Sequence, residues 1–206
     1  MESRQETLPP EAYRPLGPGE KYRPLVPPEK IISEVTTRSV LWGLVMALLF
    51  TFSMAYLGLK VGTVPEAAIP IAILAVGLGY TYSRKNTILE NVIIQSIGAA
   101  SGALVAGAIF TIPALFIIGL PIDIFKIFLS TFLGGCLGIL FLIPLRRYFC
   151  VEQHGKLPFP EATATTEILV SSEGGKDQAK PLILGVVVAS IYEFLAIGVR
   201  LWNEVI

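Results

Sequence analysis

Polar side chains are scarce in the apolar stretches of this chain, and those few are where chemistry could happen. Glu90, Asn91 and Gln95 stand at the head of an uncharged stretch covering 91–122. On a helix, Asn91, Gln95, Gly98, Gly102 and Ala106 share one stripe, so two carboxamides would sit above a groove of small side chains. A carboxamide both donates and accepts hydrogen bonds, which suits it to the N–H and C=O of an amide substrate. The same groups also join membrane helices to one another, and residue type alone leaves both readings open.

Glu193, beside Tyr192, is a second candidate, because an acid inside a membrane segment is costly and defaults to a functional reading. Burial would raise its pKa and suit it to proton coupling. Against this, Arg200 lies two helical turns on, and solvation at the membrane interface is the competing account. Tyr56 and Lys60 share a helix face at i, i+4. Lys60 could bind a substrate carboxylate or simply extend to the interface. Glu161 follows Pro160, and the pair suits the first turn of a helix, with the acid at its positive end.

Other chemistries find no support. His154 is the only histidine and Cys136 and Cys150 the only cysteines, so neither a His-based metal cluster nor a Ser-His-Asp site is expected, and no disulfide framework. No Gly-rich phosphate loop occurs. The expectation is a protein that is not an enzyme, with no cofactor, no metal and no nucleic-acid partner.

The elements that must position these residues are membrane helices. Hydrophobic residues make up 53% of the 206 and charged residues 16%, against about 25% charged in soluble domains. Uncharged windows cover 39–59, 67–83, 91–122, 127–145 and 181–192, the last reaching about 197 if Glu193 is allowed inside. A hydrocarbon core about 30 Å thick needs roughly 20 helical residues, and the windows lack the polar stripe of a soluble helix. The reading is an all-α, polytopic transmembrane helical bundle of about five spans, with room for broken or half helices. The expected spans are about 39–59, 66–82, 91–120, 124–145 and 181–201.

Thirteen Lys and Arg fall on one side of this arrangement and three on the other. The positive-inside rule then puts the N-terminus and the 146–180 loop in the cytoplasm of a multi-pass cell-membrane protein. Residues 1–38 form a Pro-rich tail with a near-duplication, Tyr13-Arg-Pro-Leu-Gly-Pro-Gly-Glu-Lys21 followed by Tyr22-Arg-Pro-Leu-Val-Pro-Pro-Glu-Lys30. The tail reads as extended, with a partner-docking motif as the alternative. No apolar segment precedes Ser39, so no cleavable signal peptide is expected.

Within the bundle, Gly58-Leu-Lys-Val-Gly-Thr-Val-Pro65 is rich in helix breakers. It is either an ordinary turn or a place where the chain unwinds in the membrane and resumes as a half-helix. The 91–122 window would reach about 48 Å as a straight helix, and Pro113 predicts a steep or broken one. Gly98-xxx-Gly102, Ala103-xxx-Gly107 and Gly134-xxx-Gly138 supply small residues for close helix packing. In the 146–180 loop a short helix is expected over roughly 160–170.

Three blocks together resemble the oligopeptide transporter family, which includes the yellow stripe-like metal-chelate carriers. They are Ala55-Tyr-Leu-Gly-Leu-Lys-Val-Gly62; Thr87-Ile-Leu-Glu-Asn-Val-Ile-Ile-Gln-Ser96 with Ala106-Gly-Ala-Ile-Phe-Thr-Ile-Pro-Ala-Leu115; and Lys156-Leu-Pro-Phe-Pro-Glu-Ala-Thr-Ala164. The resemblance covers about 20–200, looks closest to the prokaryotic branch, and identifies the chain with the N-terminal third of a member. It implies secondary active transport, typically driven by protons, of small peptides or peptide-like metal chelates. It also implies that Glu90, Asn91, Gln95 and the turn at 158–161 lie near the translocation path. One departure is that Ile97-Gly-Ala-Ala-Ser-Gly-Ala103 lacks an acid expected after the Gln.

The expectation is therefore a path lined by Glu90, Asn91, Gln95, Tyr56, Lys60 and Glu161, with Glu193 as a proton-coupling candidate. Partners would be the lipid bilayer, the substrate, and a missing C-terminal portion, a second chain or further copies of this one. The competing class is a truncated membrane interaction protein or subunit without transport of its own.

Overall fold

The computed structural model describes residues 8–82, 84, 86–121, 123–171 and 176–199, and these are all-α. The helices are α1 (Thr37–Val61), α2 (Ala68–Thr81), α3 (Ile88–Ile118), α4 (Ile124–Arg147), α5 (Pro160–Ser171) and α6 (Lys176–Glu193). Three segments are long and apolar enough to cross a membrane: α1, α3, and α4 with the π-helical turn that extends it to Glu152. The chain is a helical membrane protein.

Local chemistry fixes the helix ends. Thr36 caps α1: its Oγ1 accepts from the Ser39 N–H at 3.1 Å, and Ser39 Oγ accepts from the Thr36 N–H at 2.9 Å. Gly62 ends α1 at φ 78°, a left-handed conformation open to glycine without a Cβ clash. Thr87 and Glu90 form the reciprocal capping box at the start of α3, and Gly119 ends that helix at φ 75°.

Two open alternatives narrow. The second span is short: α2 has 14 residues, about 21 Å, which does not cross a 30 Å core. The chain from 62 to 67 is non-helical, so α2 resumes as a short helix after the breaker-rich stretch. The third span is not broken, since α3 runs 31 residues with Pro113 inside it. A single proline removes one backbone bond, and the remaining ladder carries the helix past it. In the fifth expected span, the shorter apolar segment is Val187–Ala196. Arg200, the expected partner for Glu193, lies outside the described residues.

The core is built by α1, α2 and α3. Met46, Met54, Ala67, Ile71, Ala75, Ile94 and Val105 form one buried cluster. The beginnings of α1 and α3 and the end of α2 lie together, because Trp42 Nε1 donates to Tyr82 OH at 3.2 Å and Arg38 sits 4.2 Å above the Tyr82 ring. So α2 runs antiparallel to α1, and α3 parallel to it. Glycines set how closely they approach: a methyl group on Gly98 would fall 2.9 Å from Ile71 Cγ2 and 3.1 Å from Met46 Cβ, and one on Gly43 2.9 Å from Ile97 Cβ.

The loop after α4 holds the expected short helix, and it is more than a loop element. Leu169 of α5 joins Ala72 and Val76 of α2 in a second buried cluster. The N-terminal segment is also tied to this region. His154 Nε2 donates to the Glu11 carbonyl at 2.8 Å, Tyr13 OH donates to Glu167, and the Tyr22 and His154 rings meet edge-on at 5.6 Å.

Candidate functional site

Glu90 occupies the point where α1 and α3 begin. Its carboxylate is 1% exposed. One oxygen accepts from Thr36 Oγ1 at 2.7 Å and from Arg84 Nη2 at 2.6 Å; the other accepts from the Thr87 N–H at 2.9 Å. One side chain thereby closes the N-caps of two helices. Thr87 Oγ1 in turn donates to the Ser33 carbonyl. Asn91, 2% exposed, is the neighbouring fixture: its Oδ1 accepts from Asn86 Nδ2 at 3.0 Å, and Asn86 Oδ1 accepts from Arg38.

The expected stripe divides above this point. Gly98 faces α1 and α2, where Ile71 and Met46 fill the space in front of it, so the groove is occupied there by the chain's own helices. Gln95 is only half-buried and borders a cavity of about 670 Å³. The reason is angular: four residues advance a helix by about 400°, which moves Gln95 some 40° off the line of Asn91.

That cavity is open to its surroundings and is lined by the N-terminal segment near Tyr22 and Val26, the start of α2, the α3 face from Ile88 to Ala99, and α5. Along α3, Gln95 and Ala99 stand about 10 and 16 Å past Ile88, within the first third or so of that helix. Glu66 and Ala68 border it from the α2 side, Glu161 and Ala162 from the α5 side. Thus α2 and α5 each present an N-terminal turn, the positive end of a helix, to the same space. Gln95 and Glu161 are the two expected site residues that the fold brings together.

The others lie elsewhere. Tyr56 and Lys60 are exposed near the end of α1, with Lys60 Nζ 5.9 Å from the Tyr56 ring centre. Glu193 is exposed at the end of α6. None of the three borders the cavity. Glu66 and Thr165 border it and were not expected. Glu66 had a signal, since it follows Pro65 where a helix was expected to resume. Thr165 had none, because its burial depends on α5 lying against α2 and α3. Among the described residues no group of three His, Cys, Asp or Glu could hold a metal ion.

Short and long apolar helices, with the N-terminal turns of α2 and α5 bordering one cavity, make this a helical membrane protein. The family model described as OPT oligopeptide transporter protein matches residues 34–205, and the chain belongs to that family. A Haemophilus influenzae protein named for oligopeptide transport is 35% identical over 153 residues, covering 72% of this chain and 24% of the relative. A Saccharomyces cerevisiae protein, also named for oligopeptide transport, is 27% identical over 159 residues, covering 67% of this chain and 22% of its own length. The matched segments thus span about a quarter of each relative. No solved structure matches the chain.

Proposed function

We propose that the chain forms the N-terminal part of a secondary active transporter, a proton-coupled symporter for small peptides or peptide-like metal chelates. The observation that carries this reading is the cavity beside the first third of α3, bordered by the N-terminal turns of α2 and α5. Discontinuous helices whose ends meet at the bilayer midplane are a recurring design of secondary transporters. The remaining length of the relatives would supply the opposite wall, and two gates opening alternately would expose the site to each side in turn. The excess of Lys and Arg on one side supports a cell-membrane protein with its N-terminus in the cytoplasm. Gln95 and Glu161 line the path in this reading, while Glu90 and Asn91 hold the helices that form it.

The test is uptake of a radiolabelled tripeptide by cells expressing the gene, with and without a pH gradient. Gln95→Leu is expected to leave membrane assembly intact and abolish uptake. Loss of assembly before loss of uptake would favour the competing reading, a membrane interaction protein. One observation favours that second reading: no residue of α4 is buried, so this helix has a face that another helix could cover.

A further inference from the structure

The near-duplication at 13–30 has no part in the transport path, and the fold gives its two copies one task. In the first copy, Tyr13 OH donates to Glu167 of α5; in the second, the Tyr22 ring meets His154 edge-on at 5.6 Å. Both tyrosines thus fasten the N-terminal segment to the stretch between the end of α4 and the end of α5. His154 adds a third tie through the Glu11 carbonyl, at 2.8 Å. At Gly155, φ is 70° and a methyl group would stand 2.3 Å from the Arg14 carbonyl carbon and the Pro15 nitrogen. The segment's backbone therefore passes directly over this glycine. Within the first copy, Arg14 pairs with Glu20, whose carboxylate also accepts from the Gly17 N–H at 2.8 Å, which closes a turn.

So fastened, the segment covers one side of the cavity beside α3. Leu8, Tyr22, Pro24, Leu25 and Val26 line it together with Gln95 and Ala99 of α3. Pro9 is buried and Leu25 and Val26 are half-buried, whereas residues 27–31 are all exposed, Ile31 at 99%. The covering part thus joins the helices through an exposed connector. That connector leads to Ser33 and Thr36, which are bonded to Thr87 and Glu90 at the start of α3. The ties are hydrogen bonds and a ring contact at partly exposed side chains, each modest in net contribution because water can replace it. Seven prolines by residue 28 already restrict the undocked chain, so docking costs little conformational entropy. The family match begins at residue 34, so the covering part lies ahead of the matched region.

We propose that residues 8–26 are a releasable lid on this cavity. Docked, they cover one side of it and hold transport off; swung away about 27–31, they open that side. The inference rests on the transport reading and concerns the regulation of that same site. Release shifts an equilibrium between two positions of one segment, while the caps of α1 and α3 stay in place beyond the connector.

The experiment uses the whole gene product in cells, with its native cysteines, Cys136 and Cys150 among them, replaced by serine so that one introduced thiol reacts. Broken membranes admit a charged maleimide to both faces. Leu25→Cys reports the lid, Ala99→Cys the cavity, and Glu29→Cys, exposed in the connector, is the reference. Tyr13→Phe removes the donor to Glu167, and Gly155→Ala wedges the backbone at Arg14 away. In the parent, Leu25→Cys should react more slowly than Glu29→Cys. Each release variant should speed labelling of Leu25→Cys and Ala99→Cys about three- to tenfold, the factor for one lost hydrogen bond. Initial tripeptide uptake should rise by up to the same factor. Three labelling results overturn the lid: equal rates for Leu25→Cys and Glu29→Cys in the parent, unchanged rates in both variants, or a faster Leu25→Cys with an unchanged Ala99→Cys. Uptake that is present in the parent and stays level or falls on release overturns it too. Faster labelling at both sites, with no uptake by the parent or any variant, overturns the transport reading instead and supports a lid over a cavity of other use.

Discussion

One face of α3 meets α1 and α2 so closely that glycine is required, while another opens towards α4 across a groove of about 950 Å³. On the packed face, Gly98 touches Ile71 and Met46, and Ile94 is fully buried. On the open side, Gly107 of α3 and Gly134 and Gly138 of α4 have no side chain of another element within 4 Å of where a methyl group would stand. The small-residue spacing is the same on both sides. A glycine therefore permits close approach, and whether it is needed depends on what arrives. The packed side also contains Glu90, with every carboxylate oxygen engaged, whereas the groove offers only Ser130, Thr131, Thr111 and Lys126.

Four experiments test this contrast. The largest stability effect is expected for Glu90→Ala, which strands the Thr36, Thr87 and Arg84 donors together. Because Arg84 is half-exposed and can rehydrate, the loss should be about 2–3 kcal/mol in a detergent unfolding titration. Glu90→Gln, which keeps an acceptor oxygen, should lose about 1 kcal/mol. A Glu90→Ala chain as stable as the parent would refute the shared-cap account.

Next is Gly98→Val, where the added carbons meet Ile71 and the Cβ of Met46. About 1–3 kcal/mol should be lost by the same assay. Its control is Gly138→Ala, expected to be neutral or slightly stabilising, by up to about 1 kcal/mol, through helix propensity. Equal losses at both positions would mean that α4 is as tightly packed as α1 and would erase the contrast. Gln95→Leu sits at the border of the packed face, and its unfolding free energy should change by less than about 0.5 kcal/mol, the effect falling on uptake.

The smallest effect belongs to the N-terminal segment. Arg14 pairs with Glu20, and this bond, with the Gly17 N–H, pulls the Glu20 carboxyl from 4.5 down to about 2. A lowered pKa means the carboxylate is favoured in the folded turn. The turn should be fully formed above about pH 4.5 and lost as the pH falls through 2. A carboxyl-carbon NMR titration reads this directly; a Glu20 midpoint near 4.5 would show that the segment is undocked.

The sequence displayed much of this, for reasons visible in particular residues. The charge-free runs gave α1, α3 and α4 to within a few residues, because apolar length is a local property. Gly62 and Gly119 mark helix ends for the same reason, and so do Pro160 and Glu161 at the start of α5. The spacing of Thr87 and Glu90 is likewise a local capping signal, and it accounts for part of what holds Glu90. The share contributed by Thr36 is not local, since it needs the starts of α1 and α3 side by side.

The candidate site was less legible. Asn91, Gln95 and Gly98 look equivalent on a helical stripe. They diverge because α2 covers one side of that stripe and the cavity takes the other, and about 40° of rotation decides which residue meets which. Glu161 reaches the cavity only because Leu169 anchors α5 on α2. Apolar length and local capping signals in the sequence thus show a helical membrane protein, place α1, α3 and α4 to within a few residues, and name the polar groups among them. Tertiary structure alone decided that Glu90 would join two helices, that Gln95 and Glu161 would share a cavity with Glu66 and Thr165, and that one glycine surface would be filled while another stayed open. Helix ends are fixed by groups a turn apart, whereas a cavity is fixed by the relative placement of elements far apart in the chain.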